Sequence, residues 1–146
     1  MDEDLRIMIA GGGTGGHLYP ALAIGAEIMN RKPNATVHYV GSKFGLEARV
    51  LPERGLPHTL LPISGLQRTF SPRSIWRNLM LVGRVPLALL KVRSLCRSMK
   101  PNVIVGTGGY ASALPVKVGI GWKIPTVIQE QNSYQSEEHT SELQSQ

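Results

Sequence analysis

Short apolar runs alternate along the chain with longer stretches in which apolar residues recur every three or four positions. A short apolar run rich in β-branched residues predicts a buried strand, and the wider spacing predicts an amphipathic helix. The predicted strands are 5–10, 36–40, 58–63, 102–105 and 125–129, and the predicted helices are 17–30, 46–53, 72–99 and 111–121. This alternation predicts an α/β fold, a Rossmann-like open parallel sheet with helices on both faces.

Two prolines modify this prediction. Pro62 lies in the third predicted strand and cannot donate a ladder hydrogen bond, so we expect that strand to be bent or to lie at the sheet edge. Pro86 follows Gly83 inside the helical stretch 72–99, and both residues disfavour a helix interior. We therefore expect two helical pieces there instead of one.

The length of 146 residues, with 42% hydrophobic content, predicts one domain with one well-filled core. We place this domain at 1–135. The last segment, 136–146, is polar and acidic with no apolar stripe, and it resembles the translation of a common sequencing adapter. We expect that segment to be a non-native or disordered tail.

The single cysteine, Cys96, has no partner for an internal disulfide and no histidine at metal-ligand spacing, so no metal site is expected. The acidic amino terminus lacks the basic-then-apolar order of a signal peptide, and we expect the chain to stay in the cytoplasm. The most apolar region, 79–92, is interrupted by Arg84, Pro86 and Lys91. It falls short of the roughly 20 apolar residues that a membrane-spanning helix needs.

Positive charge is concentrated in the middle of the chain. The net charge is +6, and every charged residue from Arg54 to Gln129 is basic. A stretch of one sign attracts polyanions such as nucleic acid, a phosphorylated substrate or an anionic lipid surface. The alternative interpretation is an ordinary solvated face.

Two glycine-rich loops follow predicted strands and begin predicted helices. The first is GGGTGGH at 11–17, and the second is GTGGYAS at 106–112. Glycines allow close approach of a phosphate, and the free N–H groups of a helix start favour negative charge. Since the carboxyl ends of parallel strands meet at one sheet edge, we expect both loops to converge on one cleft. Two ordinary strand-to-helix turns are the alternative.

The first loop also satisfies the dinucleotide-binding pattern as Gly11-x-Gly13-x-x-Gly16. An acid is then expected about 20 residues further on, at the end of the second strand, but Gly-Ser-Lys occupies 41–43. The missing acid disfavours NAD, but Ser42 and Lys43 leave room for a 2′-phosphate, so an NAD(P)-binding oxidoreductase domain remains as an alternative. A noncatalytic polyanion-binding module is another, although it leaves the glycine loops unexplained.

Two titratable residues lie next to the predicted cleft. His17 directly follows the first loop, where an imidazole beside bound phosphates can act as a general base toward a sugar hydroxyl. A helix-terminal hydrogen-bonding role is the simpler alternative. Glu130 ends the fifth predicted strand, where it could orient His17, bind a sugar hydroxyl or form a strand-end salt bridge.

Five motifs resemble those of the MurG family in order and spacing, over nearly the whole chain to Tyr134. They are GGTGGH at 12–17 with Pro20, GLEAR at 45–49, ISGL at 63–66, GGY at 108–110 and EQN at 130–132. The resemblance implies the amino-terminal half of a GT-B glycosyltransferase that inverts configuration and needs no metal or cofactor. The implied reaction transfers N-acetylglucosamine from UDP-GlcNAc to undecaprenyl-diphosphate-linked MurNAc-pentapeptide, converting lipid I to lipid II in peptidoglycan synthesis.

The resemblance also implies residue roles. The implied catalytic residues are His17 as the base, with Glu130 and Tyr110 as supports. Implied contacts to the acceptor diphosphate come from Gly12, Gly13, Thr14, Gly108, Gly109, Tyr110 and Ser112, and implied contacts to the donor from Thr14, Gly15, Gly16 and Asn132. The family's carboxyl-terminal donor domain has no counterpart in these residues, so we expect the isolated chain to be inactive.

The resemblance further suggests a use for the basic stretch. An apolar patch rimmed by positive charge would comprise Leu66, Arg68, Phe70, Arg73, Ile75, Trp76, Arg77 and Leu79. Such a patch suits anionic headgroups, and it implies peripheral attachment to the cytoplasmic face of the bacterial inner membrane, with no nucleic-acid partner. An ordinary amphipathic helix packed on the sheet is the alternative.

Overall fold

The computed structural model describes residues 4–63 and 72–129, and at positions 74, 77, 78 and 80–82 it describes the backbone only. The elements are β1 (Arg6–Gly11), α1 (Gly15–Arg31), β2 (Thr36–Ser42), α2 (Glu47–Glu53), β3 (His58–Leu61), α3 (Pro72–Met99), β4 (Val103–Gly108), α4 (Tyr110–Gly121) and β5 (Thr126–Ile128). They follow the predicted order, with ends that differ by a few residues. The predicted tail, 136–146, lies outside the described residues.

The strands form one parallel sheet in the order β3-β2-β1-β4-β5. The chain starts at the centre of the sheet, adds β2 and β3 on one side, and then adds β4 and β5 on the other. The predicted Rossmann-like fold is confirmed. In a sheet of this kind the crevice for a ligand opens at the carboxyl ends of the strands where the order reverses, here between β1 and β4.

Helices cover both faces of the sheet. Each face presents apolar side chains that need a partner, because successive side chains of a strand point to opposite sides. On β1, Ile7 and Ile9 pack against α1 and α2 in a cluster that includes Leu18 and Leu51. Met8 and Ala10 point the other way. There they join a second cluster with side chains of α3 and α4, namely Ala88, Val92, Cys96 and Val118. Full burial of an aliphatic side chain contributes about 1.5–3 kcal/mol to folding, so the two clusters hold all the layers together.

The prediction for Pro62 is confirmed. β3 ends at Leu61, pairs only with β2 within the described sheet, and lies at the sheet edge. A proline directly after the strand removes the next possible N–H donor, which ends the ladder there.

The prediction that 72–99 splits into two helical pieces is wrong. The helix α3 runs without interruption from Pro72 to Met99 with Pro86 inside it. Pro86 is exposed to solvent, so water can hydrate the carbonyl group that loses its N–H partner. The steric conflict of the ring can be relieved by gentle curvature of a long helix around the core.

The second half of α3 packs on the sheet. Ala88, Val92 and Cys96 are buried there, and burial raises the pKa of the Cys96 thiol. In the first half, by contrast, Trp76 is 67% exposed and Leu79 is 62% exposed. The start of α3 therefore presents apolar side chains to solvent.

His38 is expected to make folding stability sensitive to acid. Burial, and to a smaller extent the nearby His58, lowers the pKa of His38 below its usual 6.5. The unfolded chain therefore takes up this proton at a higher pH than the folded chain does. Linkage then requires the free energy of unfolding to decrease as the pH falls below about 6.5.

Thermal unfolding at about pH 7 and about pH 5 tests this expectation. The decrease in Tm should be smaller in His38→Gln than in the wild type, and glutamine can keep a hydrogen bond to Thr59 Oγ1, which lies 2.8 Å from His38 Nε2. The control His58→Gln removes only the smaller cause of the lowered His38 pKa, so this variant should retain most of the decrease in Tm. Equal decreases in His38→Gln and the wild type would contradict the assignment.

Candidate functional site

The two glycine loops are in direct contact. The Gly12 N–H donates a hydrogen bond to the Gly108 carbonyl oxygen over 3.3 Å. Gly109 packs so closely on the first loop that a β-carbon there would overlap the Gly12 carbonyl oxygen. The loops follow β1 and β4, which are neighbours in the sheet. The convergence expected from the sequence is therefore present.

A cleft of about 190 Å³ opens at this edge of the sheet. Its lining comes from both glycine loops and from the turn between β2 and α2, and consists of Gly12, Gly13, Thr14, Ser42, Phe44, Gly45, Tyr110 and Ala111. The contribution of the 42–45 turn was not predicted from the sequence. Because typical ligand pockets measure about 300–1,000 Å³, this cleft accommodates only part of a large ligand.

The helices that start at the cleft offer unpaired amide groups. Thr14 precedes α1 and Gly109 precedes α4, and neither helix start has a side-chain cap or an acidic residue in its first turn. Within residues 4–63 and 72–129, the N–H groups of Thr14, Gly15, Tyr110 and Ala111 have no acceptor. Such N–H groups, together with the helix dipole, favour binding of an anion.

His17 lies between the two loops and is only partly buried. Its Nδ1 is 3.2 Å from the carbonyl oxygen of Thr107, and the Thr107 hydroxyl donates to the His17 carbonyl oxygen over 2.8 Å. Since a carbonyl oxygen only accepts, Nδ1 carries the hydrogen in this arrangement, and Nε2 keeps the lone pair of the neutral ring. A lone pair at Nε2 is what a general base requires.

Tyr110 and Ser112 stand at the start of α4. Tyr110 lines the cleft and is 59% exposed, so its side chain is accessible to a ligand. The Ser112 hydroxyl donates to the Gly109 carbonyl oxygen over 2.9 Å. The Ser112 proton is therefore used inside the second loop, where it stabilises the turn.

Several predicted site residues lie outside the described residues. These are Glu130, Asn132, Leu66, Arg68 and Phe70, together with the side chain of Arg77. Their roles remain predictions, as does the orientation of His17 by Glu130. The contact that orients His17 in the described part comes from Thr107.

The middle of α3 reaches the rim of the cleft. The Arg84 guanidinium carbon lies 5.5 Å from the centroid of the Phe44 ring, in a cation–π arrangement. Phe44 lines the cleft and is 56% exposed. From the predicted patch, Arg73, Ile75, Trp76 and Leu79 are exposed on the preceding turns of the same helix.

Glu47 has a structural position that the sequence did not reveal. Its side chain is fully buried, with Oε2 accepting from Gly13 N–H at 2.8 Å and Oε1 accepting from Ser42 N–H at 2.7 Å. A β-carbon at Gly12, Gly41 or Gly45 would overlap the Glu47 side chain. Three glycines therefore make room for one carboxylate beneath the first loop. The only sequence signal was the position of Glu47 within the GLEAR motif.

The dinucleotide alternative finds little support in this geometry. Ser42 ends β2, where an NAD-binding domain would place the acid that binds the ribose. The Ser42 hydroxyl is buried and donates to the Ile63 carbonyl oxygen. Glu47 is the nearest acid along the chain, and it is buried and already bonded to backbone amides.

Within the described ranges 4–63 and 72–129, no group of three or more His, Cys, Asp or Glu side chains is arranged to hold a metal ion. A search of the same ranges finds no helix with the length and apolar character needed to cross a membrane.

Comparison with known proteins identifies the family. The model of the glycosyltransferase family 28 N-terminal domain matches residues 7–138. The chain is 41% identical over 133 residues to a protein of Christiangramia forsetii and 44% identical over 130 residues to one of Carboxydothermus hydrogenoformans. Both are named UDP-N-acetylglucosamine--N-acetylmuramyl-(pentapeptide) pyrophosphoryl-undecaprenol N-acetylglucosamine transferase. The matches cover 91% and 89% of this chain, and 35% and 34% of the relatives.

A solved structure shows the same fold. The crystal structure of Acinetobacter baumannii MurG superposes with a TM-score of 0.63 at 24% identity, over 88% of this chain and 34% of that one. The chain thus spans about a third of the length of its curated relatives. Its sheet corresponds to the amino-terminal half of the GT-B arrangement. The chain belongs to glycosyltransferase family 28 and carries the N-terminal domain of that family.

Proposed function

We propose that this chain is the acceptor-binding part of a hexosyltransferase of peptidoglycan synthesis. The reaction would transfer N-acetylglucosamine from UDP-GlcNAc to undecaprenyl-diphosphate-linked MurNAc-pentapeptide, converting lipid I to lipid II. The observation that carries the proposal is the contact between the two glycine loops, with His17 held between them. The names of relatives at 41% and 44% identity support the choice of substrates.

The geometry suggests how the acceptor would react. The acceptor diphosphate would bind to amide groups at the glycine loops, which brings the attached muramoyl sugar next to His17. The Nε2 lone pair would take the proton of the muramoyl 4-hydroxyl as its oxygen attacks the anomeric carbon of GlcNAc. The bond from that carbon to UDP breaks as the new bond forms on the opposite face, which inverts the configuration.

Other predicted roles fit around this step. Thr14, Gly15 and Gly16 lie at the first turn of α1, beside His17, where we propose that they contact the donor. Tyr110 lines the cleft. We propose that it supports the reacting groups and that Glu130 and Asn132 complete the site. The rest of the donor site would come from the two thirds of the relatives' length that this chain does not span. We therefore propose that the chain alone does not catalyse transfer.

A turnover assay tests the proposed function. A version of the chain that continues through a donor domain, as in its relatives, would be incubated with UDP-GlcNAc and a water-soluble lipid I analogue. We expect a disaccharide product detected by mass spectrometry. Release of UDP without the disaccharide would contradict the acceptor assignment. A shift of nicotinamide fluorescence on mixing NADPH with the chain would favour the oxidoreductase alternative instead.

We also propose that the start of α3 binds the membrane surface. Arg73, Ile75, Trp76 and Leu79 are exposed on consecutive turns, with Trp76 at 67% and Leu79 at 62%. Apolar side chains next to arginine suit the boundary between acyl chains and anionic headgroups. Leu66, Arg68, Phe70 and Arg77 belong to the same proposed patch. We propose peripheral attachment at the cytoplasmic face of the inner membrane, and we propose no nucleic-acid partner.

Vesicle co-sedimentation tests the membrane proposal. The double variant Trp76→Ser, Leu79→Ser should bind anionic phosphatidylglycerol vesicles about tenfold or more weakly, because each side chain would lose about 1.5–3 kcal/mol of burial if fully inserted. Ile120→Ser is a matched control, since Ile120 is 63% exposed on α4. Equal binding of the wild type to neutral and anionic vesicles at low and high salt would refute the proposal.

A further inference from the structure

Glu47 is a buried acid that the proposed reaction does not use. It is fully buried directly beneath the first glycine loop. Among residues 4–63 and 72–129 the one ion pair joins Glu27 and Arg31, so no described lysine or arginine neutralises Glu47. Its carboxylate is held by backbone N–H groups instead. Hydrogen bonds from these N–H groups compensate part of the cost of removing the Glu47 carboxylate from water.

The bonds to Glu47 determine which amides remain for a ligand. The Gly13 N–H points to the buried carboxylate and therefore away from the cleft that Gly13 lines. The Gly12 N–H is also paired, since it donates to the Gly108 carbonyl oxygen. In the second loop the N–H groups of Tyr110 and Ala111 have no acceptor in the described part of the chain, and both residues line the cleft. The N–H groups of Thr14 and Gly15 in the first loop have no described acceptor either, but they directly follow Gly13, whose N–H is bonded to the Glu47 carboxylate. The difference between the loops is therefore the buried negative charge beneath the first one.

We propose that Glu47 is a built-in anion of the first glycine loop that confines a bound diphosphate to the second loop. Its carboxylate takes the Gly13 amide that a phosphate oxygen would otherwise use. Its negative charge beneath the loop disfavours a second anion above it and partly offsets the positive end of α1. This inference rests on the proposed function, because it assigns the diphosphate of that reaction to one of the two loops.

The consequence is a division between the two loops. The second loop would hold the negatively charged diphosphate, and the first loop would face neutral groups, among them the hydroxyl that His17 deprotonates. Glu47 touches none of these groups and acts through Gly13 and Ser42, so it is a positioning and specificity residue. A merely structural role for Glu47 predicts weaker anion binding when it is replaced, whereas a built-in anion predicts stronger binding.

Pyrophosphate titration of the ¹⁵N-labelled chain distinguishes these cases. In the wild type, inorganic pyrophosphate should shift the amide resonances of Gly109, Tyr110 and Ala111 most. Glu47→Gln keeps the shape of the side chain and removes its charge, and it places an NH₂ donor against a backbone N–H. We expect this variant to bind pyrophosphate roughly threefold to tenfold more tightly, with new shifts at Gly13 and Thr14.

The control is Glu27→Gln, which removes the same charge from an exposed ion pair on α1. It should change the pyrophosphate affinity by less than about twofold, because exposed charges are screened by water and salt. Largest wild-type shifts in the first loop would overturn the proposal, as would unchanged or weaker binding by folded Glu47→Gln. If that variant does not fold, the wild-type shifts alone decide.

Absence of saturable shifts on either loop would also overturn the inference. The proposed function is judged separately by the disaccharide assay. A protein that forms the disaccharide but binds pyrophosphate on the first loop would keep the transferase function and lose the role of Glu47. A protein that binds pyrophosphate on the second loop but forms no disaccharide would keep the role of Glu47 and lose the transferase function.

Discussion

Replacing His17 with alanine, in a version of the chain that continues through a donor domain, is expected to lower kcat by about 10²–10⁴-fold. A positioned general base contributes this much, and no other described imidazole lies between the two loops. The fold should persist, because the loss of one hydrogen bond from Nδ1 to Thr107 costs only about 1 kcal/mol. Turnover of UDP-GlcNAc with a soluble lipid I analogue, measured beside circular dichroism, checks both parts.

His58→Ala is the matched control for this experiment. His58 is also partly buried, and its Nδ1 lies 2.7 Å from the Leu56 carbonyl oxygen, but it belongs to the edge strand β3. We expect near-wild-type kcat for this variant. Unchanged turnover in His17→Ala, or an equal loss in His58→Ala, would reduce His17 to a structural role.

The second large effect is expected for Gly109→Ala. Gly109 has φ 84° and ψ 173°, a conformation that is essentially restricted to glycine and costs another residue about 1–3 kcal/mol. The new β-carbon would also overlap the Gly12 carbonyl oxygen, so the two loops would have to separate. We expect the free energy of unfolding, measured in urea, to decrease by more than about 2 kcal/mol.

Gly13→Ala separates the two causes. Gly13 also has a positive φ, 93°, but a β-carbon there would meet no atom within 4 Å in the described part of the chain. This variant should show the backbone cost alone and a smaller destabilisation than Gly109→Ala. If both variants lost the same stability, the contact between the loops would not be the reason.

Much of the fold could be predicted from the sequence because its signals are local. The apolar run that includes Ile7 and Ile9 ends in glycine, and so does the run that includes Ile104. A parallel sheet brings such strand ends to one edge, which is why the meeting of the glycine loops was foreseeable. His17 could be placed at this edge because it follows the first loop directly.

The features that escaped prediction depend on contacts between distant parts of the chain. The bond from Gly13 to Glu47 spans 34 positions, and no periodicity indicates that an acid in a short helix will turn inward. The turn containing Phe44 joins the cleft only because β2 lies beside β1. The continuity of α3 was not predicted for another reason. The effect of Pro86 depends on which side of the helix faces water, and the sequence alone does not give that side.

The unbroken course of α3 has a mechanical consequence. α3 rises about 1.5 Å per residue without a loop between its halves, so the turns that carry Trp76 and Leu79 are joined by continuous helix to the half that packs on the sheet. Arg84, in the middle of this rod, also touches the cleft rim at Phe44. If Trp76 and Leu79 are seated in a bilayer, the mouth of the cleft is held at a set height and tilt above the headgroups. A lipid-linked substrate would then reach it by sideways diffusion, without leaving its leaflet.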